Sequence, residues 1–272
     1  MKPTIAKIEE IKKHGYRLDF GEVLEQTFAN YKKIVLITGA VLLLLFFMFF
    51  VVVFTLSLAF AGIGAYTQTL VDYSPNATTS TAIIINLLIT VLAAALIAPL
   101  TAGLLKIAHL AYENKEFNFS TAFDHYKSKY VKDIVTGTLI ISFTSQGITT
   151  IFNLLTSYDD SFEILFNIIA VSIGLLISLL TYLMIPLVIF GNLNATEAIK
   201  ASIVLVLKKF WIILFLLIVC IICVLLGLAA ICIGIIFTLP LLYSLQYSVY
   251  RNTVGIEEID ELDEIGTNIE NF

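Results

Sequence analysis

The sequence predicts an all-α polytopic membrane protein with six transmembrane helices, arranged as three hairpin repeats that are each preceded by a cytoplasmic amphipathic interfacial helix. Three observations lead to this prediction. Hydrophobic residues make up 59% of the chain and charged residues only 14%, whereas soluble domains carry about 25% charged residues. Several apolar runs exceed the roughly 18 residues that mark a membrane span. The 16 Lys and Arg residues are confined to alternate segments between those runs.

The apolar runs define six predicted spans. The first two runs are longer than the roughly 20 residues that cross a bilayer, so we expect these helices to tilt, kink or project beyond it. The six spans cover residues 34–62, 82–111, 134–156, 162–190, 210–228 and 230–250.

The distribution of positive charge predicts how the chain is oriented. The loops at residues 66–82 and 157–161 contain no Lys or Arg, whereas the segments on the opposite side of the membrane hold all of them. Because positively charged segments stay in the cytoplasm, we expect both termini there. Two termini on one side require an even number of spans, which agrees with six. We expect the protein in the bacterial inner membrane.

Three segments with amphipathic helical spacing each precede a span. Their apolar residues recur at intervals of three and four, and each begins with a polar residue that suits a helix N-cap. They cover residues 18–37, 119–137 and 194–213, with Asp19, Ser120 and Asn194 as the expected caps.

Each of the three units also carries a Pro-Leu pair in its returning span, at Pro99, Pro186 and Pro240. Proline frees a backbone carbonyl, which in lipid needs a partner from the protein, so we expect each kink to face neighbouring helices. The predicted organisation is a cytoplasmic segment (1–17), a membrane domain (18–252) with repeats of about 18–112, 118–190 and 194–252, and an acidic cytoplasmic tail (253–272).

Several stretches resemble a widespread group of bacterial six-span proteins. This group includes the membrane domain found beside some glycerophosphodiester phosphodiesterases, and uncharacterised stand-alone inner-membrane proteins. The resemblance covers about residues 18–252 and implies a fold but no defined reaction, because the soluble phosphodiesterase barrel is absent from this sequence. The stretches are FGEVLEQTFANYKKIVLI (20–37), APLTAGLLKIA (98–108), NLNATEAIKASIVLVLKKFWIIL (192–214) and LPLLYSLQYSVYR (239–251).

The third span is the most polar of the six. Its hydroxyl and amide side chains indicate either a cavity for a solute or hydrogen bonding between helices, and both alternatives remain open. No charged residue lies at the middle of any predicted span, which argues against ion-coupled transport. The predicted cavity residues are Thr138, Ser142, Ser145, Gln146, Thr149 and Asn153.

Basic residues near the inner ends of the helices are predicted to contact anionic lipid headgroups or a protein partner. His125, which follows Asp124, is expected on the solvated surface. The predicted contact residues are Lys32, Lys33, Lys106, His109, Lys132, Lys208 and Lys209.

The tail from residue 254 has seven carboxylates and no Lys or Arg. Its apolar residues recur every three to four positions, which suits a peptide that docks on a basic partner, while a solvated disordered end is the alternative. The predicted docking residues are Ile256, Ile259, Leu262 and Ile265.

The sequence contains no catalytic constellation, metal-ligand cluster, phosphate-binding loop or nucleic-acid-binding surface. We therefore expect no enzymatic activity, no cofactor, no metal and no nucleic-acid partner. The first functional hypothesis is a non-enzymatic accessory or scaffold subunit of an inner-membrane assembly for translocation, insertion or envelope maintenance, with anionic lipids and membrane proteins as partners. The alternative is a protein that handles a lipid or small solute in a cavity lined by the third span.

Overall fold

The computed structural model describes residues 3–72, 80–156, 162–229 and 234–255, and the regular structure in these ranges is helical. The predicted docking residues of the tail lie outside these ranges. A 3₁₀ helix, Phe119–Tyr126, lies between α3 and α4. The α-helices are α1 (Pro3–His14), α2 (Phe20–Asp72), α3 (Ser80–Tyr112), α4 (Val131–Thr156), α5 (Glu163–Leu180), α6 (Met184–Ile189), α7 (Ala195–Lys208), α8 (Phe210–Ala229), α9 (Gly234–Thr238) and α10 (Pro240–Thr253).

Five stretches are long and apolar enough to cross a membrane, which indicates a multi-pass membrane protein. Many of their large apolar side chains point outward, as lipid-facing side chains do. Phe46, Phe47 and Phe49 on α2, for example, are 62–68% exposed. The five stretches are Phe20–Thr55, Ile83–Tyr112, Val131–Leu155, Glu163–Ile189 and Phe210–Gly227.

The sixth predicted span, residues 230–250, is not one continuous helix. Leu239 separates α9 from α10, and Pro240 occupies the start of α10, where its missing N–H costs no helical hydrogen bond. α10 carries polar side chains in the core, and Tyr247 and Ser248 are at most 1% exposed. Five apolar spans are therefore present in the described residues, and a sixth crossing stays a prediction.

The first interfacial segment and the first span form one helix, α2, of 53 residues. At about 1.5 Å per residue it is about 80 Å long, so it extends well beyond a bilayer. Asp19 caps it as predicted, because its Oδ1 accepts a hydrogen bond from the Glu22 N–H at 2.9 Å. Lys32 and Lys33 do not end the helix, since Lys is a good helix former.

The second interfacial segment differs from the prediction in both type and cap. It is a 3₁₀ helix capped by Asn118, whose Oδ1 accepts from the Thr121 N–H at 3.2 Å, whereas Ser120 only donates to the same oxygen. Its backbone lies directly on α3. A Cβ added at Gly103 would be 1.8 Å from the Ala122 carbonyl oxygen, so only glycine allows this approach.

The third interfacial segment, α7, has the predicted form. Asn194 Oδ1 accepts from the Glu197 N–H at 2.9 Å, and Glu197 Oε2 accepts from the Asn194 N–H at 3.1 Å, which makes a reciprocal capping box. α7 ends at Lys208 and α8 begins at Phe210, so Lys209 is the joint between them.

The core is concentrated where α10 packs against α2 and α3. Tyr247 and Tyr250 of α10 are its largest fully buried side chains, and Leu104, Leu105 and Leu205 lie in the same cluster. The apolar side chains along the middle of α2 lie outside this cluster and point outward, whereas α8 contributes Leu216 and Cys220 to the cluster and exposes its opposite face.

Hydrogen bonds from other segments reach carbonyls close to two of the prolines, each one residue after the carbonyl that the proline leaves free. α3 continues through Pro99, and the Tyr126 hydroxyl donates to the Leu96 carbonyl at 2.7 Å, one turn earlier. Near the last proline, the Tyr31 hydroxyl donates to the Phe237 carbonyl at 3.1 Å. Each donor comes from an interfacial segment, so these segments bind the returning helices.

Candidate functional site

The fourth predicted span is interrupted at residues 181–183, between α5 and α6. Pro186 has no N–H to offer the carbonyl four residues earlier, that of Tyr182, and the Gln246 side-chain amide of α10 donates to it instead. A side chain from a distant helix therefore replaces the backbone bond that proline removes, as a helix break at membrane depth requires.

Ser202 of α7 stabilises the other side of the same break. Its hydroxyl donates to the Leu180 carbonyl at 2.8 Å and accepts from the Leu183 N–H at 3.0 Å. Ser202 is completely buried, so both bonds lie in the protein interior. The break is thus held by two polar side chains that come from α7 and α10.

A cavity of about 390 Å³ lies beside this break. α4 forms one wall, the region from the end of α5 to the start of α6 forms another, and Gln246 reaches it from α10. Eight of its eleven lining residues have polar, uncharged side chains, although apolar atoms contribute most of the exposed lining surface. The lining residues are Thr138, Ile141, Ser142, Ser145, Gln146, Ser178, Thr181, Tyr182, Met184, Ile185 and Gln246.

Two residues of the cavity lining carry buried hydroxyl groups that have no hydrogen-bond partner within the described part of the chain. They are Thr138 Oγ1 and Tyr182 Oη. Ser142 differs, because its hydroxyl donates to the Thr138 carbonyl at 2.6 Å, although its oxygen can still accept. A buried hydroxyl without a partner costs about 1–3 kcal/mol, so the site favours a molecule that supplies donors or acceptors.

Four of the six predicted cavity residues line this cavity: Thr138, Ser142, Ser145 and Gln146. Thr149 and Asn153 do not; they lie farther along α4, and the Thr149 hydroxyl donates to the Ser145 carbonyl at 3.3 Å. Sequence reasoning missed the lining residues of the other helices, above all Tyr182 and Gln246. For Tyr182, the only signal in the sequence is the polar pair Thr181-Tyr182 shortly before Pro186.

Three of the predicted basic contact residues have partners within the protein. Lys33 Nζ donates to the Asn114 side chain at 2.7 Å, and Lys106 forms an ion pair with Asp124 at 2.7 Å. His109 Nδ1 lies 3.1 Å from the Tyr247 hydroxyl. The remaining four are exposed or half-buried; Lys132, Lys208 and Lys209 lie at helix ends, and Lys32 lies within α2. Their contacts with lipid or with a partner protein stay predictions.

The expectation for His125 is wrong, because this side chain is only 7% exposed. Its Nδ1 lies 3.1 Å from the Ser128 hydroxyl, and its ring packs near Tyr130. Burial lowers the pKa of His125 from 6.5 to about 4, and the nearby Lys106 charge adds to this shift. His125 therefore acts as a neutral packing residue that helps to hold the 3₁₀ helix.

Comparison with protein-family models, with curated proteins and with solved structures finds no match for this chain. The resemblance to the bacterial six-span group therefore stays a prediction.

Proposed function

We propose that this protein binds a small uncharged polar molecule, or the uncharged polar part of a lipid, in the cavity beside the helix break. The observation that carries this proposal is that Thr138 and Tyr182, two residues of one cavity lining, have buried hydroxyls that lack partners in the described residues. A ligand that bonds to them offsets a cost that the empty fold bears.

The size and chemistry of the cavity define the class of ligand. A volume of about 390 Å³ lies at the lower end of the range of about 300–1,000 Å³ for small-molecule sites. Its lining offers hydroxyl and amide groups but no ionisable carboxylate, Lys, Arg or His. A charged ligand would lose its hydration without gaining a counter-charge, so an uncharged polar ligand fits best.

The interrupted helix supports a role in handling a ligand. Membrane transporters commonly build binding sites where a spanning helix is broken and lines a cavity. The break at residues 181–183 has this arrangement, and Gln246 both holds the break and lines the cavity. Movement of a ligand within the cavity can therefore be coupled to the hydrogen bonds that stabilise the break.

A threefold arrangement of hairpins is part of this proposal. Three hydrogen bonds support it. In each of them, the interfacial segment of one unit donates to the second spanning helix of another unit. The second unit contacts the first, the third contacts the second, and the first contacts the third. The donors and acceptors are Tyr126 to Leu96, Ser202 to Leu180 and Tyr31 to Phe237. Six spans and a bacterial inner-membrane location belong to the same proposal.

A filled cavity provides the test. Ser142→Leu places a larger apolar side chain in the cavity, whereas Ser172→Leu makes the same change on the exposed face of α5. The two serines are matched, since each donates to a carbonyl of its own helix. Dioctanoylglycerol serves as an uncharged lipid probe, and glycerol as a soluble one.

We expect dioctanoylglycerol or glycerol to raise the unfolding temperature of the full chain in mild detergent, saturably, for the native protein and for Ser172→Leu. Ser142→Leu should fold with a similar unfolding temperature but lose this response. Equal responses of the two variants, or no response of the native protein to either probe, would contradict the proposal.

The accessory-subunit function stays a prediction with its own test. Purification in mild detergent that yields a stoichiometric partner would support it, and a lone chain without any partner would count against it. The two functions are distinguished because loss of a partner should not follow from Ser142→Leu alone.

A further inference from the structure

A second cavity, of about 460 Å³, lies where the segment after α1 meets the joint between α7 and α8. Four of its six lining residues are basic and none is acidic, and we call it the basic pocket. We propose that the basic pocket binds the phosphate of an anionic lipid headgroup. Its lining residues are His14, Gly15, Tyr16, Arg17, Lys208 and Lys209.

The local backbone after α1 brings this segment to α7. Gly15 has a φ of 76°, a left-handed conformation that suits glycine at a helix end, and its N–H donates to the Ile11 carbonyl at 2.7 Å. The Tyr16 hydroxyl donates to the Leu205 carbonyl of α7 at 3.0 Å, across 189 positions of sequence.

Tyr16 is a stable anchor for the basic pocket. Burial raises its pKa to about 12, so the hydroxyl keeps its proton and remains a donor throughout the physiological range. Leu18, two residues later, is 5% exposed and fixes the other end of the segment in the core. Arg17 is therefore held beside Lys208 and Lys209, although its own side chain is exposed.

The charge of the basic pocket needs an anion. Like charges that share a cavity repel each other, and none of the six described lining residues carries a carboxylate. Arg presents a planar fork of donors that matches two phosphate oxygens, while Lys supplies a compact charge. One phosphate group can contact both kinds of side chain and relieve the repulsion.

The neighbouring apolar residues indicate a lipid as the source of the phosphate. Trp211 and Phe215 begin α8 directly after the basic pocket, and they are 67% and 54% exposed. Trp is enriched at the boundary between headgroups and hydrocarbon, because its ring is apolar with one polar edge. A lipid can place its phosphate in the basic pocket while its acyl chains lie along the exposed face of α8, which a free phosphate ion cannot do.

The chain contains one tryptophan, Trp211, and it lies two residues from Lys209, so its fluorescence reports on the basic pocket. The full chain in neutral detergent is titrated with short-chain phosphatidylglycerol, and separately with inorganic phosphate at constant ionic strength. Native mass spectrometry counts the bound lipids. The test variant is Arg17→Gln combined with Lys208→Gln and Lys209→Gln.

The control variant removes three exposed Lys residues elsewhere, so that both variants lose the same charge. We expect saturable binding of phosphatidylglycerol that weakens at least about tenfold in the test variant, because each base near a membrane surface contributes appreciably to binding. The control should change affinity less than about twofold. Arg17→Gln alone serves as a milder variant if the combined one unfolds. The control residues are Lys115, Lys127 and Lys129.

Three results would overturn the assignment. Equal weakening in the test and control variants would show general electrostatic attraction. Binding of inorganic phosphate as tightly as phosphatidylglycerol would show a site for a soluble anion. The absence of both a fluorescence change and a bound lipid in the native protein would show no phosphate site.

Discussion

Gly103 offers the sharpest test of how the 3₁₀ helix is held on α3. A Cβ added there lies 1.8 Å from the Ala122 carbonyl oxygen, 2.4 Å from its carbonyl carbon and 2.9 Å from its Cα. All three atoms belong to the backbone, so no side chain can rotate away. Normal non-bonded contact requires the two helices to separate by about 1.5 Å.

Gly103→Ala should therefore be destabilising, although alanine is the better helix former. Overpacking of a close contact costs about 1–3 kcal/mol, and a backbone contact belongs at the upper end. Alanine regains at most about 1 kcal/mol through its helix propensity. Displacement of the 3₁₀ helix also strains the Lys106–Asp124 ion pair and the Tyr126 bond to Leu96. We expect a net loss of about 2 kcal/mol, or several degrees in unfolding temperature.

The assay is thermal unfolding of the purified full chain in detergent, combined with limited trypsin cleavage after Lys127 and Lys129. Gly147→Ala is the matched control, because Gly147 is also helical and nothing lies within 4 Å of its added Cβ. The control should unfold at the same temperature or higher. Equal unfolding temperatures and equal cleavage rates for both variants would refute the contact between Gly103 and Ala122.

Three further predictions follow from buried groups. As the pH falls from 6.5 to 4, His125 binds a proton in the unfolded chain but stays neutral in the folded chain. The free energy of unfolding should therefore fall, by at most about 3 kcal/mol. In unfolding experiments across this pH range, His125→Gln should reduce the pH dependence. Ser202→Ala leaves two backbone groups at the helix break without a partner and should cost about 2 kcal/mol of stability, whereas Thr144→Ala, on an exposed face, should cost little. Gly234→Ala should lower the unfolding temperature more than Gly227→Ala. A Cβ at residue 234 would lie 2.1 Å from the Gly227 carbonyl oxygen, which is a backbone atom. A Cβ at residue 227 would first meet the Thr238 side chain, at 2.5 Å.

Each of these has an outcome that counts against it. A His125→Gln variant with the native pH dependence would show that another group controls acid stability. Similar stabilities for Ser202→Ala and Thr144→Ala would mean that the helix break does not depend on α7. A greater loss in Gly227→Ala would reverse the inferred order of the two contacts between α8 and α9.

The sequence determines the features that depend on neighbours within one helix. The long apolar runs predict membrane helices because a spanning segment must be apolar over its whole length, and five such stretches are present. The caps at Asp19 and Asn194 are predictable because a capping side chain bonds only two or three residues away. The polar face of α4, which includes Ser142 and Gln146, follows from helical spacing in the same way.

The helix ends are less predictable, because packing changes them. The second interfacial segment has the apolar spacing of an α-helix, yet it is a 3₁₀ helix that is capped by Asn118 and whose backbone lies against Gly103. The Lys32-Lys33 pair marks the expected start of a span, but the hydrogen bonds of α2 run through it without interruption. The local sequence of one helix does not determine which other segment's backbone packs against it.

Only the tertiary structure decides which residues that are distant in sequence come into contact, and the candidate sites depend on these contacts. Gln246 and Ser202 hold a helix break that lies 64 and 19–22 positions away in sequence, and Arg17 shares a pocket with Lys208. His125 carries the same imidazole on a surface or in a core, and burial is the main cause of its lowered pKa. Hydrophobic periodicity is a property of a single helix, whereas a cavity or a charge cluster exists only once several helices have packed together.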